Sequence, residues 1–319
     1  MKELPNSSNG AERISLQKRV LAAPTLISFA VALVLIVLLV RGFKLDLSAT
    51  LENIRHSNPG IYVTAFVLYY LSFLLRGARW RLFLHNAGIH QEGSGKLPGV
   101  LVCSQFVLLG WFANTISWFR MGDAYRAYLL KERTGASFTK TLGTILAEHV
   151  VDIIALFLMF LTAIALLLGS PQLRQTGMLA AGAVGLVVIV IAGLLLLRYL
   201  SPSLLNFLPG RVREAYLRLR QGILGSLKQL PLIALLSGCI WLVEALRVLL
   251  VTQALGYSVA VPYILFVTLA HALLIIVPLT PAGLGIAETG MAGVLSLTLA
   301  PDQAVSVAIL DRSITYLSV

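Results

Sequence analysis

Glu148, His149 and Asp152 stand in an otherwise apolar stretch, and the two carboxylates, four residues apart, share one face of any helix formed there. Such a face can meet a cationic group, carry a proton, or take partners from another helix. A metal is not expected. The order Glu-His-x-x-Asp differs from the His-Glu-x-x-His of a helical zinc site, and His149 points about 100° round the helix from Glu148. A second group lies in GWFANTISWFRMGDAYRAYLLKER, residues 110–133, where Asn114, Ser117, Arg120, Asp123 and Arg126 gather around Gly122. Arg120, Asp123 and Arg126 are spaced by three and would line one helical face. Guanidinium groups bind phosphate in bidentate fashion, and a helix starting near Gly122 would offer free N–H groups to an anion. The third group is VPLTPAGLGIAET, residues 277–289. Pro278 and Pro281 end an apolar arm, Gly283 and Gly285 permit a turn, and Glu288 opens the next arm. Arg312 follows Asp311 in the last apolar run.

Each charge also has a plainer reading, as half of an ion pair that fixes packing. Glu244 and Arg247, three apart, suit that role. Arg76, Arg79, Trp80 and Arg81 close an apolar run and read as headgroup anchors whose stems lie along the membrane. Gly283-x-Gly285 is no dinucleotide fingerprint, because Glu288 stands where the third glycine belongs.

These groups need elements to hold them, and composition says which kind. The chain of 319 residues is 58% hydrophobic and 12% charged, with mean hydropathy +0.87. Soluble domains carry about 25% charged residues, so the chain is expected to be an integral membrane protein. Crossing a bilayer takes about 20 apolar residues. Runs near that length lie at 22–40, 60–78, 141–169, 177–197, 231–254 and 303–319, whereas 98–119 and 262–300 are interrupted. The first run lacks a small-residue cleavage site and reads as a retained helix. Residues 203–229 repeat Val212, Tyr216, Leu219, Ile223 and Leu227 at helical spacing with arginines elsewhere, as an interfacial amphipathic helix does.

Lys and Arg number four in the N-terminal tail and in 76–96, five in 119–140, and six in 198–230. They number three in 41–59, one in 170–175 and none in 254–261. Positive charge favours the cytoplasmic side, which predicts a cytoplasmic tail (1–20) and N-terminus in a multi-pass protein of the cell membrane. It also places both ends of 98–119 on one side, so that this stretch enters and returns. The net charge of +11 sits in short connections, where it orients helices and meets anionic lipid rather than nucleic acid. Cys103 and Cys239 both lie in apolar runs and read as small core residues.

The predicted fold is all-α: one polytopic transmembrane helical bundle over 1–319. It would contain two broken or re-entrant elements, 98–119 and 262–300, that could form an inverted repeat. Paired broken segments mark a transport site near the membrane midplane.

In this order and spacing the residues resemble a known family: the transmembrane region of lysylphosphatidylglycerol synthases and its stand-alone flippase-like relatives. The resemblance rests on Arg79-Trp80, Asn114 through Gly122-Asp123-x-x-Arg126, Glu148 with Asp152, Pro278-x-x-Pro281-x-Gly283-Leu284-Gly285-x-x-Glu288, and Arg312 with Tyr316. It covers about 60–319. Trp118 departs from it, standing where the family often has proline. The resemblance implies the lipid-translocating part without the soluble aminoacyl-transferase domain, and a substrate among aminoacylated phosphatidylglycerol, other anionic lipids and polyprenyl-linked lipids.

The expected function is therefore lipid flipping or scrambling with no cofactor and no catalytic residue. The expected substrate-binding residues are Asn114, Arg120, Asp123, Arg126, Glu148, Asp152, Glu288 and Arg312. The partner is a membrane phospholipid, and the sequence leaves a homo-oligomer open. The alternatives are a membrane enzyme acting on lipid headgroups and a non-catalytic scaffold.

Overall fold

A short helix α1 (Leu47–Arg55) leads to Asn58, where the first long helix begins. Asn58 Oδ1 accepts from the N–H groups of Gly60 and Ile61 at 3.0 and 3.2 Å. Pro59 occupies a first-turn position whose missing N–H costs nothing. Helix α2 (Pro59–Asn86) then runs 28 residues, past the Arg76–Arg81 cluster, because Leu82, Phe83 and Leu84 keep it apolar. The computed structural model describes residues 47–92, 95–117, 121–166, 209–276 and 280–319, plus isolated helical positions at 30, 31, 33, 34, 37, 41, 188 and 192. The tail 1–20, most of the runs 22–40 and 177–197, residues 203–208, Trp118, Arg120 and Pro278 lie outside the described residues.

The other helices are α3 (Val100–Ile116), α4 (Met121–Thr134), α5 (Phe138–Leu166), α6 (Gly210–Ser226), α7 (Leu230–Ala254), α8 (Val261–Ile276), α9 (Ile286–Leu295) and α10 (Pro301–Arg312). A π-helical turn, Ser313–Leu317, extends the last. The protein is an all-α membrane protein, and every long regular element among the described residues is a helix. Helices α2, α5 and α7 are long and apolar enough to cross a membrane. They form the centre: α2 lies along α7, both touch α5, and α3 packs on α2. Trp80, Phe83, Phe160 and Phe266 are buried between them.

Two helical hairpins flank this centre. The apolar arm in 98–119 does not return within itself. It is one unbroken helix, α3, and the return is made by α4, a segment whose charges suggested a surface connection. The arms touch backbone to backbone: a Cβ on Gly122 would fall 1.8 Å from the Gly110 carbonyl oxygen. Gly122 N–H donates to Asn114 Oδ1 at 2.8 Å, so the helix start read as an anion site is partly capped from the facing arm. The second hairpin pairs α8 with α9. Its break continues through a 3₁₀ turn, Pro281–Gly283, with φ positive at Ala282, Gly283 and Gly285. The tips meet, since α3 packs against that turn and Tyr316 Oη donates to the Thr115 carbonyl at 3.2 Å.

Helix α6 packs on α5 through glycines. A Cβ on Gly222 would meet the Lys140 carbonyl oxygen at 2.2 Å and Gly143 Cα at 2.9 Å. Ile223 and Ser226 are buried there, whereas Val212 and the first turns are exposed. The amphipathic pattern is therefore used for protein packing only in its second half.

Alanine is the better helix former by about 1 kcal/mol, so Gly222→Ala would stabilise an exposed helix. Here the clash is with backbone, and the substitution is expected to destabilise by about 1–3 kcal/mol. Thermal unfolding of the purified protein in detergent reads the sign.

Candidate functional site

A charge placed at the bilayer centre costs about 2.5–3.5 kcal/mol on insertion scales. The expected charges of α5 are met by cations the sequence reading assigned elsewhere. Arg76 and Arg79 are not membrane-surface anchors. They stand three apart on α2, facing inward, and Arg79 has no solvent exposure at all. Arg79 Nη1 donates to Asp152 Oδ1 at 2.6 Å and to Ser237 Oγ at 2.9 Å. Its Nη2 donates to Asp152 Oδ2 and Glu148 Oε1, each at 3.0 Å. One guanidinium thus bridges both carboxylates of the helix face read from sequence. Trp241 Nε1 adds a bond to Asp152 Oδ1 at 3.1 Å.

Glu148 has a second cation. Its other oxygen accepts from Arg126 Nη2, and the Arg126 guanidinium lies 4.2 Å from the centre of the Trp80 ring. A parallel group lies beside it. Arg76 Nη2 donates to Glu244 Oε1 at 2.6 Å, and Arg247 reaches Glu244 Oε2 with Nε and Nη2 at 3.2 and 3.1 Å. Arg247 also pairs with Asp311 of α10. The Arg76 guanidinium sits 4.8 Å from the Trp111 ring centre.

The third group belongs to the broken element. Glu288 Oε1 accepts from Arg312 Nε at 2.7 Å, and Glu288 Oε2 accepts from the Gly285 N–H at 2.6 Å. Arg312 Nη2 donates to the Ala282 carbonyl at 3.0 Å and the guanidinium covers the Tyr316 ring at 4.8 Å. Of the break residues, Pro281 starts the 3₁₀ turn, and Gly283 and Gly285 take the left-handed conformations that only glycine adopts without strain. Asp123 pairs with His149 Nε2 at 3.0 Å, half-buried.

In these groups five arginines (Arg76, Arg79, Arg126, Arg247, Arg312) meet five carboxylates (Glu148, Asp152, Glu244, Glu288, Asp311). A cavity of about 90 Å³ lies among them. Arg76, Arg126, Glu148, Asp152 and Glu244 line it, with Asp123, Trp111, Trp241, Tyr69 and His271. The structure therefore gathers Asp123, Arg126, Glu148 and Asp152 at one cavity. It sets Glu288 and Arg312 in the neighbouring pair, and uses Asn114 to hold the α3–α4 hairpin. Sequence reasoning missed Arg76, Arg79, Trp111, Trp241 and His271. The available signal was the i, i+3 spacing of Arg76 and Arg79 on a helix that stays apolar beyond them. With those two in the core, half of the positive charge counted in 76–96 belongs to no connection.

The family described as the lysylphosphatidylglycerol synthase TM region matches this chain over residues 25–319. The chain belongs to that family. Relatives of this family member include a UPF0104 membrane protein of Methanocaldococcus jannaschii, 29% identical over 211 residues, or 65% of this chain and 89% of that protein. A UPF0104 membrane protein of Pyrococcus horikoshii is 23% identical over 91% of this chain and 92% of its own length. Glycosyltransferase AglD of Haloferax volcanii is 25% identical over 95% of this chain, which spans only 54% of AglD.

The arrangement ranks the arginines. Arg79→Leu would leave half-buried Asp152 with no guanidinium, a loss on the order of 3 kcal/mol. Arg126→Leu leaves Glu148 paired to Arg79 and is expected to cost less. Unfolding midpoints of the two variants in detergent test this; a larger loss for Arg126 contradicts it.

Proposed function

We propose that this family member moves the phosphate-bearing headgroup of a membrane lipid across the bilayer, through the cavity between its two hairpins. The observation that carries the reading concerns Arg76 and Arg126. Both line the cavity, yet each spends Nη2 on a carboxylate while its Nε–H is buried without a partner. Unpaired buried donors are unfavourable, and two guanidinium groups with spare donors suit an anionic phosphate. Arg79, whose Nε–H is likewise buried without a partner, and Arg247 do not line the cavity: both are fully buried and pair with Asp152 and Asp311.

This division supplies a mechanism. Glu148 has both Arg79 and Arg126, and Glu244 has both Arg247 and Arg76. Arg126 and Arg76 can turn to a phosphate while each carboxylate keeps a cation, so no naked charge is left in the low-dielectric interior. The oxygens that this turn would release, Glu148 Oε2 and Glu244 Oε1, could then meet a cationic or hydroxylated part of the headgroup. A 90 Å³ cavity has room for about three waters, so passage of a headgroup requires the hairpins to part. The sequence carries no nucleotide-binding motif; the movement proposed is downhill or coupled to an ion gradient, in a multi-pass protein of the cell membrane with its N-terminus in the cytoplasm.

A second reading, group transfer to a lipid, draws on the similarity to AglD, whose name describes a glycosyltransferase. A glycosylated lipid formed by the purified protein with a nucleotide sugar and a lipid extract would favour it.

For the transport reading, Arg126→Gln and Arg76→Gln are expected to slow transfer of fluorescent phosphatidylglycerol in reconstituted vesicles about tenfold or more, with unfolding midpoints close to the parent. Glu288→Ala should slow it as well, by freeing Arg312 and the α9 start. Unchanged transfer in both arginine variants would overturn the role given to the pair.

A further inference from the structure

His271 stands on α8 and takes part in none of the ion pairs described. It is 7% exposed, lines the same cavity as Arg76 and Arg126, and its Nε2 is buried without a hydrogen-bond partner. A buried imidazole nitrogen left unpaired costs free energy comparable to a lost hydrogen bond. An apolar residue of similar volume would avoid that cost if packing were the only demand. The sequence around it is apolar throughout, VTLAHALLII, and supplies no partner along its own helix. Arg247 and Arg312, each already paired to carboxylates, lie close enough to act electrostatically on the ring.

We propose that His271 is a ligand-contacting residue whose Nε2–H donates to a phosphate oxygen in the cavity, completing a three-sided cradle with Arg76 and Arg126. The inference rests on the lipid-transport reading for the source of that phosphate, but the contact itself does not need transport. Histidine differs from the two arginines in having no carboxylate to leave. It is ready for the ligand while they are still paired, and it therefore contributes to selecting an oxygen-rich headgroup before the ion pairs open. Its place on α8 also matters, because α8 is the first arm of the broken hairpin, packed on α5 and on α9. A ligand held by His271, Arg76 and Arg126 would touch α8, α2 and α4 together.

The test uses the full chain, labelled with ¹⁵N in its five histidines, in phosphate-free maltoside micelles. Dihexanoyl phosphatidylglycerol is titrated in one arm and sodium phosphate in another, and His271→Gln assigns the resonance. We expect the His271 Nε2 signal to move with phosphatidylglycerol. His271→Leu should bind it roughly tenfold to a hundredfold more weakly, and His271→Gln, which keeps an N–H donor, should stay near the parent. No movement of the signal in either arm overturns the proposal, whatever the variants do. So does parent-like affinity in His271→Leu. An equal response to sodium phosphate supports the contact but assigns it to a free anion, which overturns the lipid source. Absence of vesicle transfer by the parent protein, with the signal still responding to phosphatidylglycerol, defeats the transport reading and leaves the His271 contact standing.

Discussion

A guanidinium stripped of water needs negative charge close by, and the arrangement around Arg79 answers that need from two sides. The desolvation penalty for a buried ion is several kcal/mol even after relaxation. Arg79 offsets it with a two-point bond to Asp152, a bond to Glu148 and one to Ser237. These partners come from α5 and α7, so the demand of a single side chain on α2 fixes the separation and rotation of three helices. The Arg247 group does the same between α7 and α10. In a membrane, where apolar contact between helices is no better than contact with lipid, such bonds carry much of the specificity of packing.

The glycines are the other half of that specificity. Gly122 against Gly110, and Gly222 against Gly143, let backbones approach where any side chain would hold them apart. Close backbone approach is the usual means by which membrane helices gain dispersion energy. The charged groups then lie at fixed heights on rods that cannot shift sideways. The cavity is what remains when rigid hairpins, each stapled internally, are set against a centre tied by ion pairs.

Much of this was legible in the sequence, and the gaps have physical causes. The apolar runs announced α5 and α7 to within about three residues, because each is a long, continuous apolar stretch. The face bearing Glu148 and Asp152 was read from a spacing of four, and the break at 277–289 from proline and glycine. The C-terminal end of α2 and the role of α4 escape the sequence for one reason: charge reads as a sign of water. Arg76, Arg79 and Arg126 are instead neutralised by residues 69 to 168 positions away, or 22 for Arg126, and no local pattern records such partners. His271 went unread because a single histidine in an apolar helix has no spacing to interpret. Its meaning comes only from the cavity beside it.

Glu288 divides its two oxygens between a guanidinium and the N–H of Gly285, and so ties chemistry to backbone. Caps of this kind are worth about 0.5–2 kcal/mol, a few times thermal energy. Anything that draws Arg312 away changes how firmly the Glu288 carboxylate is held against the first turn of α9. That cap lies beside the 3₁₀ turn on which α3 packs, where the two hairpins touch. The Glu288–Arg312 ion pair and the backbone of the break are therefore held by one side chain, and neither can rearrange without the other.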